Sequence, residues 1–537
     1  MRGTIMNYPL TLSTILEHAG RLHGDQEIVS RHPDKSIHRY TFADFYRRSR
    51  LLAEALLHAG LKPGERVGTL CWNHAEHLEM YFGVPCAGGV LHTLNLRLHA
   101  DELAYIVNHA DDRFLIVDND LIPTLEGFKE KVSFERIFVV RHGNEPLPEG
   151  MEDYEDLLAA AEGTFEYPEI EETAACGMCY TSGTTGRPKG VAYSHRGVVL
   201  HTLSAAVPDV FGLSMRDCIL PIVPMFHANA WGMPTTAVMT GSKIVFTGPH
   251  MDHESILELL EAENVTLTGG VPTVWLPVVD ALKKEPERWK LKKGMKFVIG
   301  GSAAPEAMIR DFDNMGYQVI HAWGMTEMTP IGTTGVPKPA FDSMSKDEQF
   351  ATLAKQGIPL PFVEIRIMGD DGLAPWDGKT MGELQVRGPW IADTYYNPDD
   401  PIFSWTEDGW FRTGDVVTVD KEGYVKITDR TKDLIKSGGE WISSVDVENA
   451  LMGHPQIKEA AVIAMPHEKW VERPLACVVL EENAALSPDD VREFLSQKFA
   501  KWWLPDAVEF IDKVPRTSTG KFQKLALRER FSAYRAN

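Results

Sequence analysis

The sequence predicts an α/β protein, with a large N-terminal domain of layered α/β subdomains, a small β-rich subdomain, and a small C-terminal α/β domain. Three observations carry this prediction. At 537 residues the chain exceeds the size at which one hydrophobic core keeps growing. Its first half alternates helical and strand patterns, which implies sheets with many parallel strands. From about Gly357 the pattern changes to short strands between turn signals.

The elements follow in order. "TFADFYRRSRLLAEALLHAG" opens with the capping box Thr41-x-x-Asp44 and stops at Gly60, and "RVGTLCW" follows as an apolar strand. The alternation recurs around "FLIVD", "RIFVVR", "KIVFTG" and "KFVIGG". "VEIRIMGDDG", "GELQVRG" and "GYVKITDR" supply the β-rich part. Beyond Asp429 a compact pattern takes over: a helix near residues 445–452, strands "EAAVIAM" and "LACVVLE", and a helix capped by Ser487 with Pro488 at its first position. In that helix Val491, Phe494, Leu495 and Phe499 share one face. The expected division is 1–428, a hinge at 429–431, and 432–537.

Composition excludes several function classes. A formal charge of -22 repels polyanions at long range, which argues against a nucleic-acid or membrane-surface binder. An anionic ligand must then be met by local cations and backbone amides. No run of eighteen apolar residues occurs, and neither the start nor the end "YRAN" reads as an address, so a cytoplasmic protein without membrane insertion is expected. The six cysteines form no disulfide framework, and the lone Cys176-x-x-Cys179 reads as buried thiols in an apolar strand.

"YTSGTTGRPKG", residues 180–190, packs three glycines, four Ser/Thr hydroxyls and two cations between two strand patterns. Gly183 and Gly186 can take positive φ, Ser182, Thr184 and Thr185 add donors, and Lys189 adds charge. It is not a Walker A loop, since Pro188 and Gly190 stand where that pattern needs glycine and a hydroxyl. Alone, it reads as an anion cradle or as a Gly-rich surface turn.

With "HAWGMTE" (321–327), "RTGD" (412–415), "DRTKDLIKSGGEWIS" (429–443) and "PRTSTGK" (515–521), the loop resembles, in family order and over almost the whole chain, the acyl-adenylate-forming superfamily. "VPMFHANAW", "IKSGGEWISS" and "KWWLPD" are most similar to bacterial medium- and long-chain fatty acyl-CoA synthetases. The resemblance implies an ATP-dependent acyl-CoA ligase: acyl-AMP forms with pyrophosphate release, the small domain rotates about Asp429, and the acyl group passes to coenzyme A.

The resemblance also implies the site. Thr181, Ser182, Gly183, Thr184, Thr185, Gly186 and Lys189 would cradle the phosphates, and Glu327 with Thr181 or Thr184 would hold Mg2+. Gly301, Ser302, His321, Ala322 and Trp323 would wall the adenine slot beside Thr326, where many family members carry tyrosine in place of Trp323. Asp415 would receive the ribose hydroxyls, with Arg430 as a further partner. Lys521 would stabilise the charge shifting during adenylation. After rotation, Lys432 and Lys436 would meet nucleotide or CoA phosphates, Gly438 and Gly439 would leave room for pantetheine, and Trp441 would stack on adenine.

For the acid, Phe226, Trp231, Met233, Val271, Val274 and Trp275 fall near the expected pocket, and neither stretch offers a carboxylate for an amino acid's ammonium. An apolar tail is expected, with Trp231 as its gate and His227 orienting the carboxylate. Medium-chain acids lead, then long-chain acids and short substituted acids such as methylthiopropionate. The competing classes are a luciferase-like oxygenase and a non-catalytic nucleotide sensor. A homodimer is expected from the resemblance, with "VLHTLNLRL" as a candidate contact. Acetylation of Lys521 would remove its charge.

Overall fold

A computed structural model describes residues 1, 3–143, 146–181, 187–369, 371–398, 404–437, 440–516 and 522–532. Four sheets organise the described chain. The first has nine strands and is parallel from Glu27–Arg31 through Lys243–Phe246, Cys218–Pro221, Leu267–Gly270 and Lys296–Ile299 to Gln318–Gly324. Its two ends close with antiparallel strands, Ile37–Thr41 at one and Ile331–Thr334 at the other. The second has seven strands and is parallel except for the final pair, Ala175–Tyr180 with Gly190–Ser194. The alternation in the sequence thus reports two helix-covered parallel sheets, whose strands read as apolar runs because both faces are buried.

Local signals act where the sequence places them. The helix Phe42–His58 carries both halves of the Thr41/Asp44 capping box. Gly60 takes φ +90°, a conformation that L side chains avoid. The helix Pro488–Ser496 has the Ser487/Asp490 box and buries Val491 and Leu495, with Phe499 half-buried on the same core.

The β-rich part is a five-stranded antiparallel sheet that includes Glu364–Gly369, Gly382–Arg387, Phe411–Val419 and Val425–Arg430. The last sheet pairs Ile457–His467 with Val471–Leu480 and carries its own core. All six cysteines are buried and free, as the apolar reading of Cys176 and Cys179 requires. No helix among the described residues is long and apolar enough to cross a membrane.

Within "VLHTLNLRL" the strand Val90–Thr93 runs inside the second sheet, and all four of its residues are buried. His92 there bonds the buried Asp112, so any protomer surface in this stretch falls on residues 95–98, of which Arg97 is exposed.

Candidate active site

The loop at 180–190 connects two antiparallel strands and is therefore a hairpin turn, closed by Thr181 N–H to the Lys189 carbonyl at 2.9 Å. The Lys189 N–H returns to Thr181 Oγ1 at 3.1 Å. Ser182, Gly183, Thr184, Thr185 and Gly186 lie outside the described residues. The exposed Lys189 ammonium sits 4.9 Å from the ring centre of Tyr395. The Tyr395 hydroxyl donates to Glu327 Oε1 at 2.6 Å. Burial and the Glu327 carboxylate both push the Tyr395 hydroxyl up, so it stays a neutral donor.

Two further bonds seat this group on the hairpin. The Tyr193 hydroxyl donates to the Thr326 carbonyl at 2.8 Å, and Tyr396 N–H donates to the Gly190 carbonyl at 2.8 Å. Hairpin, Glu327 turn and the Tyr395 segment are one assembly.

Asp415 is 1% exposed, yet both carboxylate oxygens have partners. The Trp323 indole N–H donates to Oδ2 at 3.0 Å, and Arg430 Nε meets Oδ1 at 2.7 Å. Asp415 and Arg430 stand opposite each other on adjacent strands, which fixes that pair through backbone register. The indole that replaces a tyrosine therefore acts as a hydrogen-bond donor to the carboxylate as well as a flat wall.

His321 is held inside the fold by both ring nitrogens. Its Nε2 accepts the Ala304 amide at 3.3 Å, while its Nδ1 donates to the Ala354 carbonyl at 3.0 Å. Burial pushes it down to about 4, so the ring is neutral. With both nitrogens engaged inside the fold it positions the loop holding the exposed Gly301 and Ser302 and has no free edge for a ligand.

The stretch around Trp231 is the most strained in the described chain. Ala228, Asn229, Ala230, Trp231 and Gly232 take φ of +45, +54, +48, +58 and +71°, a single left-handed turn. Each non-glycine residue in that region costs about 1–2 kcal/mol. Surrounding bonds fix it: the Tyr81 hydroxyl donates to the Met225 carbonyl and to Asn229 Oδ1, and Thr235 and Thr236 hydroxyls donate to the Gly232 carbonyl.

The turn carries Trp231 to Gly300, where a Cβ would come within 3.2 Å of the indole and 2.7 Å of the Ala322 carbonyl. On its other side Asn229 and Gly232 line an interior cavity with Leu12, Tyr81, Val198 and His201. No lining residue is charged. Gly232 is required there, because a side chain would meet the His201 ring at 2.6 Å.

Other expected pocket residues divide. Phe226 is buried beside the turn, with its carbonyl accepting from Thr93, and Met233 and the half-buried Val271 belong to the same core. Val274 and Trp275 belong to a second core, where Trp275 is fully buried and packs edge-on against Phe297 at 5.1 Å. Its indole N–H is buried without a hydrogen-bond partner among the described residues. His227 stands half-buried at the start of the left-handed turn.

In the C-terminal sheet Lys436 lies 4.6 Å from the Trp441 ring, on an edge hairpin whose Lys436 N–H donates to Glu472. Burial pushes Lys432 down. Lys521, Gly438 and Gly439 lie outside the described residues. At the expected hinge, Asp429 is 1% exposed and its Oδ2 accepts the Ser444 amide at 2.8 Å. Lys524 bonds Ser444 Oγ and, at 2.7 Å, the buried Glu448, so a charged network backs this joint.

Several contributors carry no motif. Asn73 donates to the Pro221 and Val223 carbonyls and accepts from Met225 N–H at 2.7 Å, clamping the segment that leads into Trp231. Tyr81, His201 and Tyr395 are likewise unmarked in sequence.

The chain belongs to the AMP-binding enzyme family: residues 16–396 match the family model, and residues 446–521 match that of the AMP-binding enzyme C-terminal domain. It is 48% identical over 535 residues to a long-chain-fatty-acid–CoA ligase of Thermus thermophilus, covering 99% of this chain and 97% of that one. It is 43% identical to a 3-methylmercaptopropionyl-CoA ligase of Ruegeria pomeroyi and 42% identical to a medium-chain-fatty-acid–CoA ligase of Ectopseudomonas oleovorans, each over 99% of this chain and 99% and 98% of the relative. A solved anthranilate CoA ligase in complex with anthranoyl-AMP superposes with a TM-score of 0.88 at 25% identity, over 99% of both chains.

Proposed function

We propose that this protein is an AMP-forming fatty acid–CoA ligase that activates a medium- to long-chain carboxylic acid with ATP and transfers the acyl group to coenzyme A. The choice of acid is supported by the 48% and 42% identity to long-chain and medium-chain fatty-acid–CoA ligases, and by the place of Trp231 against the Ala322/Gly300 wall of the nucleotide motif, in a turn whose neighbours Asn229 and Gly232 line a small uncharged cavity. An apolar tail packed beside Trp231 would leave its carboxylate at the nucleotide side. His227, at the base of the turn, would orient it, with Phe226 and Val271 alongside.

In adenylation the carboxylate attacks the α-phosphorus of ATP and pyrophosphate leaves. Two anions must be brought together, so preorganised donors dominate the barrier. The hairpin amides, Thr181, the loop hydroxyls and Lys189 would take the phosphates. Asp415, held by Trp323 and Arg430, would accept the ribose hydroxyls, and Thr326 and Ala322 would face the base.

The magnesium ligand set fits Glu327: Tyr395 occupies Oε1, and no described residue bonds Oε2. Glu327 with Thr181 or Thr184 would hold the ion, which would neutralise phosphate charge. Lys521 would contact the acid and the bridging oxygen as charge moves. Lys521→Ala is expected to lower the adenylation rate by about 10² to 10³, the value of one preorganised contact. Near-normal pyrophosphate release by that variant contradicts the role.

For thioester formation, rotation of 432–537 about 429–431 would exchange Lys521 for the segment with Lys432, Lys436 and Trp441. Gly438 and Gly439 would give the pantetheine arm passage. The domain division, a cytoplasmic location and a homodimer belong to the same proposal, with the dimer contact sought outside the buried strand Val90–Thr93.

A further inference from the structure

Three segments far apart in sequence converge near the edge of the first two sheets. His32 follows the strand Glu27–Arg31, Glu76 lies in the first turn of the helix Ala75–Cys86, and His142 follows the strand Arg136–Val140. One ligand atom from each lies within 4.8 Å of the others. The His32 and His142 rings are 4.5 Å apart.

Two polar atoms in this cluster are buried without a hydrogen-bond partner, His32 Nε2 and Glu76 Oε2. The Glu76 side chain is 13% exposed, and its Oε2 lies 3.0 Å from His74 Nδ1. That nitrogen either accepts the His77 amide at 3.1 Å or, when His74 is protonated, donates to Glu76. His32 Nε2 has no such alternative among the described residues. A cation between the three side chains would give it a partner and share Glu76 with His74.

We propose that His32, Glu76 and His142 form a zinc-binding site separate from the nucleotide site. Two imidazoles and one carboxylate are a zinc donor set that leaves a fourth position for water. Tetrahedral bonds of about 2.0–2.2 Å set ligands about 3.4 Å apart, so the three groups close by on the order of 1 Å on binding. An outer layer is in place: His74 stands behind Glu76, and its Nε2 bonds the buried Asp118 at 2.9 Å. Magnesium, which prefers oxygen ligands in octahedral geometry, does not suit two imidazoles.

The location gives the ion a consequence. It joins the turn after the first strand of one sheet to two segments of the other. Asn73, three residues before Glu76, clamps the carbonyls leading into Trp231. Zinc would stiffen the frame on which the left-handed turn is built.

The test uses the full-length protein stripped with chelator and titrated with Zn2+ alone, then with Co2+ as a spectroscopic stand-in. The expected result is one ion per chain, a rise in Tm with zinc, and visible Co2+ bands of four-coordinate character. Glu76→Gln and His142→Ala should each weaken zinc binding at least tenfold, since even outer-layer substitutions cost 10- to 100-fold. Unchanged circular dichroism and a cooperative unfolding transition in both zinc-free variants would show that they fold, and Glu76→Gln alone decides if His142→Ala does not fold. Absence of stoichiometric zinc, or equal affinity in wild type and the folded variants, overturns the proposal.

Discussion

Replacing Trp323 with phenylalanine tests whether the Asp415 cluster recognises ribose. The change removes one N–H that donates at 3.0 Å to a carboxylate 1% exposed, and keeps an aromatic wall. Arg430 still pairs the other oxygen at 2.7 Å, so the charge remains compensated and the fold survives. A hydrogen bond to a charged group is worth about 1.5–3 kcal/mol, which converts to about 10- to 150-fold. That loss should fall on ribose recognition. Titration calorimetry with ATP and 2′-deoxy-ATP is the assay: the variant should bind ATP more weakly while its preference for ATP over the deoxy analogue shrinks. If Trp323→Phe keeps that preference within about twofold of wild type, the indole does not hold Asp415 for the sugar, and the argument fails.

Tyr395→Phe removes the donor to Glu327 and should raise the Mg2+ concentration for half-maximal pyrophosphate release about tenfold or more, read by Mg2+ titration at saturating ATP. Trp231→Ala should move the preferred acid toward longer chains, checked by competing octanoate and palmitate in one reaction. Lys524→Ala leaves Glu448 and Asp429 buried without their cation and should cost about 3–5 kcal/mol, while Lys524→Met with Glu448→Gln should recover most of it in denaturant unfolding.

Burial pushes His201 to about 3 and His321 to about 4. Above the ordinary histidine value both states are neutral and nothing changes. As pH falls from about 6.5 toward 4 the unfolded chain takes protons that the folded one refuses, so stability drops by up to about 1.4 kcal/mol per unit for each ring. His321→Gln should flatten that acid limb of a Tm-against-pH curve.

Much of this architecture was legible because it is encoded locally. The Thr41/Asp44 and Ser487/Asp490 boxes are four-residue signals, and buried parallel strands announce themselves as apolar runs. The nucleotide motifs were legible because each packs its special residues into a few positions. The remainder depends on pairs far apart in the chain. Tyr395 reaches Glu327 across 68 residues, and Asn73 clamps carbonyls about 150 residues away.

An asparagine or tyrosine with such a task looks like any other until the fold brings its partner near. The left-handed turn was hidden for another reason: of its five residues Gly232 adopts positive φ freely and Asn229 tolerates it, so the context imposes the conformation on Ala228, Ala230 and Trp231. Trp275 and His321 lie beside their motifs in sequence, yet the partners of their rings, Phe297 for one and Ala304 and Ala354 for the other, are set by the layer each faces.

The most direct measurement is pyrophosphate release with acetate, methylthiopropionate, octanoate and palmitate, each with ATP and magnesium, with and without coenzyme A. A medium- to long-chain fatty acid–CoA ligase should show CoA-dependent turnover that peaks at octanoate or palmitate. A peak at methylthiopropionate would contradict the placing of a fatty tail beside Trp231, and no release with any acid would contradict the ligase itself.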